Sequence, residues 1–102
     1  LKRIEKKAKD ITLIFGSYAK GTQRNESDID IMIINKKGEK TINFSDLELL
    51  YKVKINPMFF SKKDFLMMLK DKGENVGKQA LKNHILLSGF SEFWEIVQNG
   101  IQ

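Results

Sequence analysis

The apolar and polar positions of the chain first indicate two strands in its amino-terminal third. Residues 11–15 (ITLIF) form an apolar run of strand-forming residues, which predicts a strand that is buried on both faces. Residues 28–34 (DIDIMII) begin with strict alternation, which predicts a second strand. Because strand side chains alternate between the two faces, we expect Asp28 and Asp30 on the same face.

A short turn is predicted directly after the first of these strands. Gly16 ends the apolar run, and Ser17 is expected to cap a helical turn that continues to Lys20. Gly21 is suited to end that turn, because glycine readily adopts the left-handed conformation found at helix ends. The polar residues 22–27 (TQRNES) then predict a loop.

Helical spacing predominates in the rest of the chain, with one further strand. Residues 53–60 (VKINPMFF) predict this strand, and Pro57 within it favours an edge position or a bulge. Three helices are predicted over 43–52, over 62–70 with Ser61 as the cap, and over 75–82, followed by a short apolar segment at 85–87 and a last helix over 92–98. These elements predict an α/β (α+β) fold, with a small mixed sheet of three to five strands and helices packed on one face.

Length and composition limit the classes of function. A chain of 102 residues has room for a single domain, 1–102. Residues 1–10 (LKRIEKKAKD) are typical of the end of a basic helix, and the chain begins with Leu1, so a preceding helix or an upstream domain is one interpretation. No apolar run approaches the roughly 20 residues that span a membrane. The absence of cysteine excludes disulfides and thiolate catalysis and favours a cytoplasmic location.

The charge of the chain suits a polyanionic ligand without identifying it. A net charge of +5 and a pI near 9.5 fit a nucleotide or a nucleic acid. The lysines are spread along the whole chain, however, and most of them are better explained as solvated surface.

Candidate chemistry is concentrated between Gly16 and Asp30. A glycine after a buried strand lets a phosphate approach the backbone, and the following helical turn offers unpaired amide hydrogens. Two aspartates separated by one residue supply oxygen ligands of the kind that Mg²⁺ prefers. Each feature alone is common in turns and half-exposed strands. Their order and spacing together favour a site for a magnesium-bound phosphate.

The segment GSYAKGTQRNESDIDIMI resembles the signature of the DNA polymerase beta-type nucleotidyltransferase superfamily, and in particular its minimal nucleotidyltransferase (MNT-type) branch. INPMFFSKKDFLMMLK and HILLSGFSEFWEIV are similar, more loosely, to later parts of that branch. The resemblance implies that Gly16 and Ser17 bind the triphosphate of ATP or another NTP. It implies that Asp28 and Asp30 are catalytic and bind Mg²⁺, or Mn²⁺ in its place. Lys20 and Arg24, in the intervening segment, could contact phosphates or be plain surface.

The family has a third carboxylate on a later strand, and Asn56 occupies the matching position here. Asparagine can offer a metal a neutral oxygen but cannot accept the proton of an attacking hydroxyl. Asn56 is therefore a metal ligand at most, and two-metal catalysis is in question. The other nearby acids are expected on the flanking helices: Asp46, Glu48, Asp64 and Asp71.

Two further sets of residues favour a structural role. His84 is the only histidine, and the sequence shows no partner for it. Six aromatic residues have positions that favour core packing over base stacking: Phe59, Phe60, Phe65, Phe90, Phe93 and Trp94.

Three functions remain open. The first is transfer of a nucleoside monophosphate to a hydroxyl, which in the minimal branch often modifies a HEPN-type protein partner as the antitoxin of a toxin–antitoxin pair. The second is a nucleotide-binding regulatory module attached to an upstream DNA-binding domain, through which nucleic acid could be a partner. The third is a structural domain that retains only the fold and binds protein, or nucleic acid through its basic surface.

Overall fold

A computed structural model gives the architecture of residues 2–22 and 28–101. The elements in chain order are α1 (Lys2–Lys7), β1 (Ile11–Phe15), α2 (Ser17–Lys20), β2 (Ile29–Asn35), α3 (Ser45–Tyr51), β3 (Ile55–Ser61), α4 (Lys62–Lys70), α5 (Val76–Lys82), β4 (His84–Ser88) and α6 (Phe90–Gly100).

The four strands form one mixed sheet in the order β3-β2-β1-β4. β1 pairs antiparallel with both β2 and β4, whereas β2 and β3 are parallel. The predicted fold class and the small mixed sheet are thereby confirmed. The edge position predicted from Pro57 is also correct, because β3 is an outer strand.

Helices α4, α5 and α6 pack on one face of the sheet. Their cluster with the sheet centres on Leu13, Met32, Phe65 and Phe93. The opposite face carries α1 and α3 as well, in a second cluster that includes Ile31. Burying an Ile, Leu or Phe side chain contributes about 1.5–3 kcal/mol, so the two clusters stabilise the central strands.

The buried central strands determine where polar side chains can lie. All five residues of β1 are buried, and in β2 only Asp30 is not fully buried. A charged side chain in such a strand is tolerated where the sheet ends and water is accessible. The pattern therefore places Asp30 near the end of the inner strand β2, at the edge of the sheet that is formed by strand ends.

Local signals explain one boundary each of α2, α4 and α5. Ser61 accepts a hydrogen bond from the Asp64 amide at 3.0 Å and caps α4, as predicted. Asn75 caps α5 in the same way through the Lys78 amide. Gly21 ends α2 in the left-handed conformation, also as predicted.

Three predictions about elements need correction. Ser17 is not the cap of α2 but its first residue, and the capping position belongs to Gly16 without a side-chain hydrogen bond. The apolar segment 85–87 is the centre of strand β4, because it pairs with β1. The last helix is longer than 92–98, since the left-handed Gly89 lets it begin at Phe90.

Candidate nucleotide and metal site

One edge of the sheet brings together the residues that carry candidate chemistry. β1 ends there, and β2, β3 and β4 begin there. Phe15 is paired with Asp30 on one side and with His84 on the other, and Asp30 is paired with Asn56. Directly paired residues project from the same face of a sheet, so these four side chains form a row.

Asp28 lies just before β2, and its carboxylate converges with that of Asp30 in the row on a single point. The side-chain amide nitrogen of Asn56, Nδ2, donates to Asp28 Oδ2 at 3.0 Å and to Asp30 Oδ1 at 3.3 Å. Like charges this close repel each other unless a donor or a cation stands between them. The Asn56 amide is that donor in this structure, and its NH₂ group faces the acids.

The donor set at this point fits a magnesium ion. Two carboxylate oxygens already face one position, and Mg²⁺ typically takes one or two carboxylates while phosphates and water complete its octahedron. Rotation of the Asn56 side chain about its last bond would turn its oxygen toward the same position. No group of three His, Cys, Asp or Glu side chains suited to a metal occurs in residues 2–22 and 28–101, so a metal here would depend on this mixed set.

Gly16 forms the floor of the site. Its backbone has φ 74° and ψ −148°, a combination that is essentially restricted to glycine. A Cβ atom added to Gly16 would lie 2.5 Å from Asp30 Oδ2. Glycine is therefore required twice here, once for the backbone turn and once for the space that the carboxylate occupies.

The α2 helix starts beside the carboxylates. The Gly16 carbonyl accepts a hydrogen bond from the Lys20 amide at 3.1 Å, which closes the first turn. Ser17 is half-buried at the start of this turn, where backbone amides are unpaired. Lys20 is exposed at the opposite end of α2, and Arg24 lies outside the described residues.

Glu48 is a positioning residue, although the sequence pattern predicts only that it lies on a helix. Its Oε2 accepts a hydrogen bond from the Ile55 amide at 3.0 Å, at the first residue of β3. The Ile29 amide donates to the Lys54 carbonyl at 2.9 Å, which joins the start of β2 to the same segment. These two bonds fix the register that places Asn56 across from Asp30. No sequence pattern distinguishes Glu48 from a solvated helix carboxylate.

The surroundings of His84 fit the structural role that the sequence favoured for it. Its Nδ1 lies 3.0 Å from the Ala80 carbonyl and 3.2 Å from the Leu81 carbonyl, so Nδ1 carries the hydrogen. Its ring contacts the buried Phe93 edge-on, with ring centroids 5.1 Å apart. Core packing is wrong for two of the six aromatic residues, however, because Phe90 is 58% exposed and Trp94 is 47% exposed, both on α6.

The family described as "Polymerase beta, Nucleotidyltransferase" matches residues 1–92 of this sequence. The chain belongs to this nucleotidyltransferase family. The match includes every residue of the row and both glycines that flank α2.

Two solved structures share the nucleotidyltransferase fold of this chain. A crystal structure of a toxin–antitoxin with AMP-PNP is 17% identical, with a TM-score of 0.60 over 96% of this chain and 78% of its own. The toxin–antitoxin MntA-HpeT, in a double aspartate-to-glutamate mutant, is 14% identical with a TM-score of 0.54 and the same coverage. No curated protein matches the sequence.

The structure therefore brings together four positions that the resemblance singled out in this nucleotidyltransferase domain: Gly16, Asp28, Asp30 and Asn56. Their positions fit a metal-bound phosphate, and their roles as ligands remain predictions. No helix in residues 2–22 and 28–101 is long and apolar enough to cross a membrane.

Proposed function

We propose that this chain binds a nucleoside triphosphate with Mg²⁺, ATP being the first candidate, and transfers its nucleoside monophosphate to a hydroxyl group. The observation that carries the proposal is the convergence of the Asp28 and Asp30 carboxylates on one point above Gly16. Two acids held this close offer oxygen ligands to a single cation, and a phosphate has room against the glycine backbone.

Each residue of the site has a distinct part in the proposed reaction. Asp28 and Asp30 hold Mg²⁺ or Mn²⁺, which when bound would neutralise phosphate charge and align the α-phosphorus. Gly16 and Ser17 offer backbone amides to the β- and γ-phosphates. The acceptor oxygen bonds to the α-phosphorus, the bond from that phosphorus to the bridging oxygen breaks, and pyrophosphate leaves.

Asn56 supports a second candidate function. The proton of the acceptor hydroxyl must go to water or to a base brought by the acceptor, because an amide cannot take it. The same structure therefore also fits a regulatory module that binds the nucleotide and reacts slowly or not at all. If such a module were attached to an upstream DNA-binding domain, nucleotide binding could regulate the binding of DNA.

We propose that the acceptor of the nucleoside monophosphate, or the binding partner of this chain, is a protein. Both structural neighbours are toxin–antitoxin structures. The MntA-HpeT mutant replaces two aspartates that are two positions apart, the spacing of Asp28 and Asp30. We extend this to a toxin partner of the HEPN type, and we expect the pair in the cytoplasm.

Transfer of label from α-³²P-ATP tests the first function. The chain is co-expressed with the protein encoded by the adjacent gene and is incubated with labelled ATP and Mg²⁺ or Mn²⁺. The labelled products are then separated by mass. Asp28→Ala is expected to abolish labelling. The exposed acid Asp64, on α4, provides the matched control, and Asp64→Asn should label as the wild type does.

Calorimetry with ATP separates the remaining outcomes. Saturable binding that depends on Mg²⁺, without label transfer to any partner, would favour the regulatory module. Absence of magnesium-dependent binding to the wild-type chain would refute both functions and leave a structural domain.

A further inference from the structure

A pocket of about 480 Å³ lies on the sheet face that carries α1 and α3. We call it the α1–α3 pocket. Its walls come from both helices, from Tyr18 of α2 and from Val53 before β3. Its floor comes from Ile29 and Ile55, the first residues of β2 and β3.

The α1–α3 pocket lies directly behind the carboxylates. Ile29 stands between Asp28 and Asp30 in the chain, and the paired residue Ile55 precedes Asn56. Side chains of adjacent strand residues project to opposite faces, so a single thickness of backbone separates the pocket floor from the acids. The pocket and the candidate metal site therefore open at the same edge of the sheet.

Tyr18 links the two sites from the side of α2. It follows Ser17, whose amide lies at the start of the helix, and it packs against the second hydrophobic cluster while also lining the pocket. If the phosphates of a ligand contact the start of α2, the rest of the ligand can therefore reach the α1–α3 pocket by passing around the edge of the sheet.

The lining suits a flat aromatic heterocycle. Its volume lies within the range of about 300–1,000 Å³ that is usual for small-molecule sites. Tyr18 and Tyr51 provide faces for stacking, and stacking tolerates any base. Lys2 and Arg3 line the same pocket, and a guanidinium can stack on a base or pair with a phosphate.

We propose that the α1–α3 pocket receives the base of the nucleotide whose phosphates bind at Gly16, Asp28 and Asp30. This inference rests on the proposed function, since it needs a nucleotide at that site. It adds that the chain discriminates a nucleoside triphosphate from a bare polyphosphate, and that α3 contributes to affinity through Tyr51.

Comparison of two ligands tests the inference. Magnesium-dependent binding of ATP and of inorganic tripolyphosphate, which has the phosphates but no base, is measured by calorimetry. The wild-type chain should bind ATP more tightly. Tyr51→Ala should weaken ATP binding about tenfold and leave tripolyphosphate binding unchanged.

The neighbouring residue supplies a matched control on the same helix. Leu50 is 65% exposed and does not line the pocket, whereas Tyr51 is 49% exposed and does. Leu50→Ala should therefore bind both ligands as the wild type does. Equal weakening of both ligands in Tyr51→Ala, or no change in either, would overturn the inference.

Photolabelling provides a second measurement that needs no variant. With 8-azido-ATP and Mg²⁺, mass spectrometry of the digested chain should locate the label on α1, Tyr18 or α3, and excess ATP should prevent it. Labelling confined to α4–α6 would place the base on the other face. If the wild type binds neither ATP nor tripolyphosphate, the proposed function itself fails, and that result differs from equal binding of both.

Discussion

Gly16 leaves room for the carboxylate of Asp30, and Gly21 offers a matched comparison. Both glycines have φ 74°, but a Cβ at Gly21 would meet no heavy atom of residues 2–22 and 28–101 within 4 Å. Gly21→Ala should therefore cost only its backbone strain, about 1–2 kcal/mol of unfolding free energy, and keep magnesium-dependent ATP binding. Gly16→Ala adds a collision with Asp30, and we expect it to weaken that binding at least tenfold. Calorimetry and thermal unfolding measure the two effects, and equal losses of affinity in both variants would contradict the steric explanation.

Asn56 permits a gain-of-function prediction. Asn56→Asp would supply the third carboxylate of the family, and a positioned general base typically contributes about 10²–10⁴-fold to a rate. We expect label transfer from α-³²P-ATP to rise at least tenfold, and the melting temperature in EDTA to fall because three carboxylates then repel each other. Asn43→Asp makes the same chemical change at an exposed residue before α3, where the side-chain oxygen accepts from the Ser45 amide and an aspartate keeps that bond, so it should alter neither. An unchanged transfer rate together with an unchanged melting temperature in EDTA would show that residue 56 does not face the acids.

The residues of the site were predictable to different degrees. Alternation along one strand was sufficient to place Asp28 and Asp30 together, and the family resemblance was sufficient to align Asn56 with them. Glu48 was not predictable as a positioning residue, because its partner is a backbone amide seven residues later. Such a contact depends on how a helix is oriented against a strand, which no local pattern encodes.

At the scale of elements, a local capping signal predicted the start of α4 correctly, whereas strand β4 depends on tertiary pairing. Ser61 acts locally, so the start of α4 followed from the sequence, whereas the cap predicted at Ser17 belongs to Gly16. The strand at 84–88 was missed because its extended conformation depends on pairing with β1, far away in the chain.

The contact between α1 and α3 leads to a prediction about pH. Lys7 Nζ lies 3.0 Å from Asp46 Oδ1 and also donates to the Asn43 carbonyl, so Lys7 holds α1 beside the start of α3. The hydrogen bond from Lys7 lowers the pKa of Asp46 below its ordinary value of 3.8. A lowered pKa in the folded state adds stability above the unfolded pKa, and this stability is lost as the pH falls through the folded pKa.

Asp46→Asn should therefore lower the melting temperature slightly at pH 7 and leave it unchanged well below pH 3.8. The effect should be small and should shrink in high salt, because the pair is at the surface. Thermal unfolding of both chains across this pH range is the measurement. A difference that persists at the acidic end, where Asp46 is protonated in both states, would show that the ion pair is not its cause.

For the whole molecule, the site couples ligand binding to folding, because β1, β2 and β3 all contribute to it. A ligand that binds only the folded state stabilises it by about 2.7 kcal/mol at one hundred times its dissociation constant. For a domain of this size, that corresponds to a rise in melting temperature of roughly 10–20 °C. We expect such a rise with ATP and Mg²⁺ together and a much smaller one with ATP and EDTA.

Asp30→Asn distinguishes binding at this site from nonspecific attraction to a basic chain. The variant removes one of two like charges, so without metal its melting temperature should equal or exceed that of the wild type. With Mg²⁺ and ATP it should show little further rise, because one metal ligand has lost its charge. Asp64→Asn changes the net charge of +5 by the same amount and should keep the full rise. A full rise in Asp30→Asn would mean that the phosphates bind elsewhere on the basic surface, and the function proposed for this sheet edge would then be wrong.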